Sequence, residues 1–280
     1  MSDYANKDAL VETDWLEQNI DSDSIVVVEV DEDIQAYEKG HVPNATAINW
    51  ETELHDLPRR EFITSEQLAK LLGDKGISDG QTIVLYSGNN NWFAAYAYWL
   101  FQYRGVANVK LLNGGRKKWE LESRLLSQDE PSRTPVTYNI GPEQPQLRVF
   151  REEVIQLAQQ AGSAWVDVRS PEEFRGELLA PPHLPQEQAQ VPGHIPGASN
   201  ITWSKTVNED GTFKSADELK ALYEAEGITA DKDVVAYCRI GERSSHSWFV
   251  LRELLGFQNV RNYDGSWTEY GSLVGVPVEK

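Results

Sequence analysis

Disulfides, membrane-spanning runs and basic patches are all missing from this sequence, and each absence narrows what the protein can be. Cys238 is the one cysteine among 280 residues, so no intramolecular disulfide can form and the chain does not read as a stapled secreted scaffold. A reducing cytoplasm is the expected compartment. The N-terminal stretch MSDYANKDALVETDWLEQ carries acidic residues where a secretory signal needs a basic flank and an apolar core. The longest aromatic and aliphatic run, WFAAYAYWLF at 92–101, is about half of the ~20 residues that cross a bilayer, and no membrane segment is predicted. Twenty-six basic residues stand against 44 acidic ones, a formal charge of −18. That composition lacks the basic clusters that bind phosphate backbones, so nucleic acid is not an expected partner. The histidines at 41, 55, 183, 194 and 246 are too scattered for a metal-ligand spacing, and no metal is predicted.

What is present is material for buried cores: nine Trp, eleven Tyr and eight Phe in a chain long enough for two domains. The chain is also written twice. GHVPNATAINW at 40–50 returns as GHIPGASNITW at 193–203, KGISDGQTIVLYS at 75–87 as EGITADKDVVAYC at 226–238, and NGGRKKW at 113–119 aligns with DGSWTEY at 264–270. Three blocks in one order and at nearly one offset predict two homologous domains. Residues 127–148, SQDEPSRTPVTYNIGPEQPQLR, hold four prolines and no helical period, the composition of a linker. The expected domains are therefore 1–126 and 148–280, with a linker at 127–147.

Each half alternates strand and helix. In the second, AWVDVR at 164–169, DVVAYC at 233–238 and NVRNYD at 259–264 have the short apolar runs of buried strands. SADELKALYEAEG at 215–227 opens on a serine cap, and a helix is expected to start near Ser244 and stop at Gly256. Alternation of this kind predicts an α/β fold, each domain a parallel sheet flanked by helices on both faces. Ligands of such sheets lie beyond the carboxyl ends of the strands. Cys238 falls there.

After Cys238 comes RIGER, a tight turn into a helix. Backbone N–H groups of such a turn converge on one point, and the helix N-terminus adds partial positive charge, so the point favours an anion. With Arg239 and Arg243 beside it, the same field favours a thiolate and makes a nucleophile of Cys238. A small anionic substrate would then be held in a locally positive site within a strongly acidic protein. Gly241 suits a turn position of positive φ or close backbone approach. Cysteine phosphatases space cysteine and arginine as C-x5-R; here Cys238 to Arg243 is C-x4-R, and the shorter loop encloses a volume better matched to one added sulfur atom than to a phosphoryl group.

CRIGERS at 238–244, the DVR strand at 167–169, the GHIPGA turn at 193–198 and YDGSW at 263–267 together resemble the rhodanese family, specifically its two-domain thiosulfate sulfurtransferases. The resemblance covers essentially the whole chain and implies two tandem rhodanese-like domains, an inactive first and an active second. It further implies that the Cys238 thiolate takes the outer sulfur of thiosulfate, releases sulfite, and passes the sulfur as a persulfide to cyanide, a thiol or a protein acceptor. No metal, nucleotide or flavin is required. Arg169 would pair with the sulfonate oxygens, and Arg239, Ile240, Gly241, Glu242, Arg243 and Ser244 would form the substrate loop. Ile240 stands where some of these enzymes carry lysine, and Arg243 is expected to supply that charge.

Other readings bear on particular residues. Glu242 either pairs with Arg243 or Arg239 or faces solvent. His194 and Asp167 are expected to share a structural hydrogen bond, and His246 to pack. Residues 176–198 have five prolines and no counterpart in the first half; so long an insertion suits a lid or binding loop, with His183 or Gln188 near the acceptor. A 3-mercaptopyruvate sulfurtransferase is the nearest alternative, but loops of that group usually read C-G-[SA]-G, and a keto-acid donor calls for less positive charge.

Overall fold

The computed structural model describes residues 3–160, 162–181 and 188–280. Eleven strands can be followed in chain order among them: β1 Leu10–Val11, β2 Ile25–Glu29, β3 Thr46–Ala47, β4 His55–Asp56, β5 Glu61–Phe62, β6 Thr82–Tyr86, β7 Val109–Leu112, β8 Ala164–Asp167, β9 Ser199–Asn200, β10 Val234–Tyr237 and β11 Val260–Tyr263. They form a five-stranded sheet in the order β1-β7-β6-β2-β3, a four-stranded sheet in the order β11-β10-β8-β9, and the small β4-β5 hairpin. Both larger sheets are parallel throughout. Strands β2, β8 and β10 are buried at every position, as parallel strands covered on both faces must be.

The chain divides into two compact units. One comprises Asp8–Pro145 with Val207–Phe213, the other Gln146–Thr206 and Lys214–Lys280 with the N-terminal residues up to Lys7. The proline-rich stretch after residue 127 forms no strand or α-helix, yet it is tied down: Val136, Gly141 and Gln144 donate backbone N–H groups to Gly73 (2.9 Å), Gly105 (3.0 Å) and Tyr103 (2.8 Å). The N-terminal arm is likewise held within its own unit, with Ala5 and Asn6 donating to the carbonyls of Leu254 and Glu253 at 2.9 Å each.

In the second unit, Trp165, Val235, Tyr237 and Tyr263 alternate onto one sheet face and pack with Val154 and Trp267, the period of two expected of strand side chains. The helix Ala216–Glu224 is capped by Ser215, whose side chain accepts from Glu218 N–H while Glu218 reaches back to the cap; such a box satisfies donors that the first turn otherwise leaves open. Helix Glu242–Phe249 packs on β10 and β11 and continues as a π-turn through Val250–Leu254. It begins at Glu242, two residues before the serine that the sequence suggests, because Gly241 at φ 101° is its N-cap.

Candidate active site

Cys238 follows β10 directly and has no solvent exposure. Its backbone is locked on both sides: Cys238 N–H donates to Ser266 Oγ at 3.0 Å, and its carbonyl accepts from Trp267 N–H at 3.0 Å. Ser266 in turn donates to the Tyr263 carbonyl at 2.7 Å, and its Oγ lies 4.0 Å from Cys238 Sγ. The sulfur accepts the backbone N–H of Gly241 at 3.1 Å. Gly241 can be nothing else, since a Cβ there would stand 2.8 Å from the Asp264 Cα and φ is 101°. The turn therefore directs at least one amide, and the start of an eight-residue helix, toward the sulfur.

Arg239, Glu242, Arg243 and Ser244 are all buried, and Ile240 is half-buried. Arg243 forms a bidentate pair with Glu173 at 2.8 and 2.9 Å, both side chains being essentially out of solvent. Burial is the largest influence and opposes the charge on each partner, but the hydrogen bonds together with the neighbouring charges outweigh it, holding Glu173 below the usual carboxylate range and Arg243 above its ordinary value. Arg239 is shifted the other way: burial lowers it, the nearby Glu242 charge opposes that, and the like charge of Arg243 adds to the lowering. Glu242 thus acts on Arg239 from a buried position rather than from solvent, and the ion-pair partner of Arg243 is Glu173.

Glu173 escaped the sequence reading. It belongs to the four-residue helix Pro171–Phe174, where Ser170 and Glu173 form a capping box. S-P-E-E at 170–173 is that motif in the sequence, so the helix start was legible. The pairing 70 residues onward was not.

Arg169 does not face outward. It is fully buried, with Nε on both oxygens of Asp167 at 2.9 and 3.1 Å and Nη2 bound to Asp167 at 2.5 Å and to the Gly193 carbonyl at 2.7 Å. Its guanidinium lies over the Trp267 ring, 4.9 Å from the centroid. Only Nη1 has no hydrogen-bond partner. Asp167 is thereby committed to Arg169, and the hydrogen bond expected between Asp167 and His194 is not formed. His194 Nδ1 instead meets the Phe174 carbonyl at 2.8 Å while its ring stacks on Phe174 at 3.6 Å. His246 is fully buried and edge-on to Trp203 at 5.2 Å. Of the 176–198 insertion, His183 lies outside the described residues and Gln188 is exposed. Val191 is anchored beside the loop's support, its carbonyl accepting Trp267 Nε1–H at 3.0 Å.

At the aligned position of the first unit stands Ser87 (238 − 151). Its N–H donates to Asn91 Oδ1 at 3.0 Å, and the next amide, Gly88, donates to the Asp31 carboxylate at 2.5 Å. Asn89, Asn90 and Asn91 all have positive φ, 43°, 57° and 62°. Arg116, half-buried at the position aligned with Trp267, makes two 2.6 Å bonds to Glu29.

Among the described residues no helix is long and apolar enough to cross a membrane, and no cluster of three His, Cys, Asp or Glu side chains is built to hold a metal ion.

The family described as "Rhodanese-like domain" matches residues 12–122 and 150–273. A protein of Saccharopolyspora erythraea named "Putative thiosulfate sulfurtransferase" is 58% identical over 275 residues, spanning 98% of this chain and 97% of that protein. The "Sulfur carrier protein TtuD" of Thermus thermophilus is 52% identical over 280 residues, spanning 99% of this chain and 98% of that protein. The solved structure of an anaerobic ergothioneine biosynthesis enzyme from Chlorobium limicola, in complex with trimethyl histidine, superposes with a TM-score of 0.87 at 27% identity, over 100% of this chain and 72% of the other.

Proposed function

Because the chain belongs to the rhodanese family, we propose that it is a thiosulfate sulfurtransferase whose second domain carries a sulfane sulfur on Cys238. The observation that carries this reading is the Gly241 N–H aimed at Cys238 Sγ from 3.1 Å, in a turn that opens directly into a helix. Preorganised donors of this kind stabilise negative charge on sulfur without reorganising during the reaction. They suit a thiolate and the persulfide anion that replaces it.

The two half-reactions balance without a cofactor. In the first, a lone pair of the Cys238 thiolate attacks the outer sulfur of thiosulfate; a new S–S bond forms, the S–S bond of thiosulfate breaks, and its electron pair leaves on sulfite. In the second, a nucleophile such as cyanide or a thiol attacks the outer persulfide sulfur, and the broken bond returns its pair to Cys238. Arg239, next to Cys238 in the sequence and buried in the same loop, is the cation we assign to the sulfonate. For Arg169 we propose a supporting role in place of the expected clamp: it pairs with Asp167 at the end of β8 and lies over Trp267, whose backbone N–H holds the Cys238 carbonyl.

The name of the Thermus thermophilus relative favours a second reading of the acceptor, in which the persulfide passes to a protein. The donor chemistry is the same. Release of sulfite and thiocyanate from thiosulfate and cyanide, measured beside pyruvate release from 3-mercaptopyruvate, tests the proposal. Pyruvate release exceeding sulfite release would overturn the choice of donor.

A further inference from the structure

Behind the loop, Asn262 lies in the middle of the buried strand β11 with no solvent exposure. A carboxamide there is unexpected, because burying polar groups is unfavourable unless they are fully hydrogen-bonded, and Asn262 Oδ1 has no hydrogen-bond partner. The aligned position in the first domain (262 − 151) is Leu111, also fully buried. An apolar residue therefore fits this place in the fold.

What the carboxamide does is hold one carbonyl. Asn262 Nδ2 donates to the Gly241 carbonyl at 3.2 Å and to Ser245 Oγ at 2.9 Å. The same carbonyl accepts Ser245 Oγ–H at 2.8 Å, Ser244 Oγ–H at 3.0 Å and Ser245 N–H at 3.2 Å. Four donors thus fix the peptide on the carboxyl side of Gly241. Glycine is the softest joint in a backbone, and once that peptide is fixed, only the φ and ψ of Gly241 itself stand between it and the N–H that meets Cys238 Sγ. The first domain has none of these pegs, since Phe93 and Ala94 occupy the positions of Ser244 and Ser245 (244 − 151 and 245 − 151).

We propose that Asn262, acting with Ser245, is a positioning residue that aims the Gly241 amide at the sulfur of Cys238. This deepens the reading of Cys238 as the sulfur carrier and rests on it. The charged groups around the sulfur, Arg239, Glu242, Arg243 with Glu173, and Asp264 held by Arg148 at 2.8 and 2.9 Å, are untouched by changes at 262 or 245. A change in thiol reactivity in those variants therefore reports the amide.

The test is the rate at which iodoacetamide alkylates Cys238, followed by intact mass from pH 6 to pH 10, in wild type, Asn262→Leu and Ser245→Ala, each copying the first domain. The expected result is a rate near neutral pH roughly three- to tenfold below wild type, less than the loss of a whole charge-assisted hydrogen bond because the amide is misaimed and not removed, converging on the wild-type rate at the alkaline end. Thiosulfate turnover falls in parallel. Unchanged rates, or rates lowered equally at every pH, would overturn the proposal. If Asn262→Leu does not fold, the much smaller Ser245→Ala change decides alone. A wild type that turns over no thiosulfate but whose alkylation profile still moves in the variants would refute the donor assignment and leave the positioning role standing.

Discussion

The loops at 87–92 and 238–243 share a backbone frame and differ in what fills it. In both, the residue after the strand gives its carbonyl, at 3.0 Å, to an N–H that follows the next strand of the chain, that of Arg116 after β7 in one domain and of Trp267 after β11 in the other. In both, a buried tyrosine hydroxyl accepts the amide of the GH-x-P turn, Val42 on Tyr86 at 3.0 Å and Ile195 on Tyr237 at 3.1 Å. Gly115 and Ser266 even share the left-handed conformation, φ 55° and 52°. In the first domain, however, the amides of Ser87 and Gly88 go to Asn91 and Asp31, and Ser87 Oγ accepts the amide of Ala94, in the helix beyond the loop, at 3.1 Å. In the second, the amide of Gly241 reaches sulfur. The difference is therefore more than a missing cysteine: the first loop already holds a side-chain acceptor of its own, the carboxylate of Asp31.

The largest expected effect breaks the comparison outright. Cys238→Ser should lower thiosulfate turnover by roughly 10³-fold or more, since no covalent route remains, and adding Ser87→Cys should not restore it. A serine like Ser266 cannot be built at Gly115 either, because its Cβ would lie 2.2 Å from Asn91 Oδ1. Substantial turnover by the double variant, assayed as sulfite release, would show that the nucleophile alone was lacking.

Next in size is the buried pair of Glu173 and Arg243. Removing one partner of such a pair leaves a buried charge, at a cost of about 3–5 kcal/mol, so Glu173→Gln should lower the urea midpoint substantially at pH 7. Burial raises the Glu173 carboxyl, but the hydrogen bonds and charge of Arg243 bring its net value below the ordinary one. Its contribution is therefore fully present above the unfolded value of about 4.3 and is lost as pH falls through the folded value. The gap between wild type and Glu173→Gln should narrow on acidification below about pH 4.3, and a constant gap from pH 7 to pH 3 would argue against an ionised pair.

The two remaining arginines sharpen the picture. Arg239→Ala should slow sulfur uptake from thiosulfate by roughly 10- to 150-fold, the range of one charge-assisted hydrogen bond, while transfer from preloaded persulfide to cyanide changes less. Arg169→Ala should reduce both half-reactions alike and lower stability, as befits a buried partner of Asp167. Rapid-mixing measurements of the separate half-reactions distinguish the two, and a loss confined to uptake in Arg169→Ala would return the clamp role to that residue.

Much of this was readable from the chain. Hydrophobic runs at 164–169, 233–238 and 259–264 mark β8, β10 and β11 to within two residues at each end, because buried parallel strands are nearly pure apolar runs. The cysteine, its turn and the glycine were local and therefore legible. The helix start was misjudged by two residues, since Ser244 and Ser245 spend their hydroxyls on the Gly241 carbonyl rather than capping. Ser266, Asn262 and Glu173 were missed for a common reason: each meets the loop across 21 to 70 residues of sequence, and only the sheet brings them together. The bonds of Arg169 to Asp167 were not legible, because D-x-R looks alike whether the arginine reaches for a sulfonate or folds back on its own aspartate.

The central claim is that sulfur rests on Cys238, and intact mass spectrometry tests it most directly. Protein treated with thiosulfate and freed of excess donor should gain the mass of about one sulfur atom per chain, lose it on adding cyanide with stoichiometric thiocyanate, and gain nothing as Cys238→Ser, as a covalent intermediate requires. An unchanged mass in wild type during full turnover, or the same gain in Cys238→Ser, would contradict it.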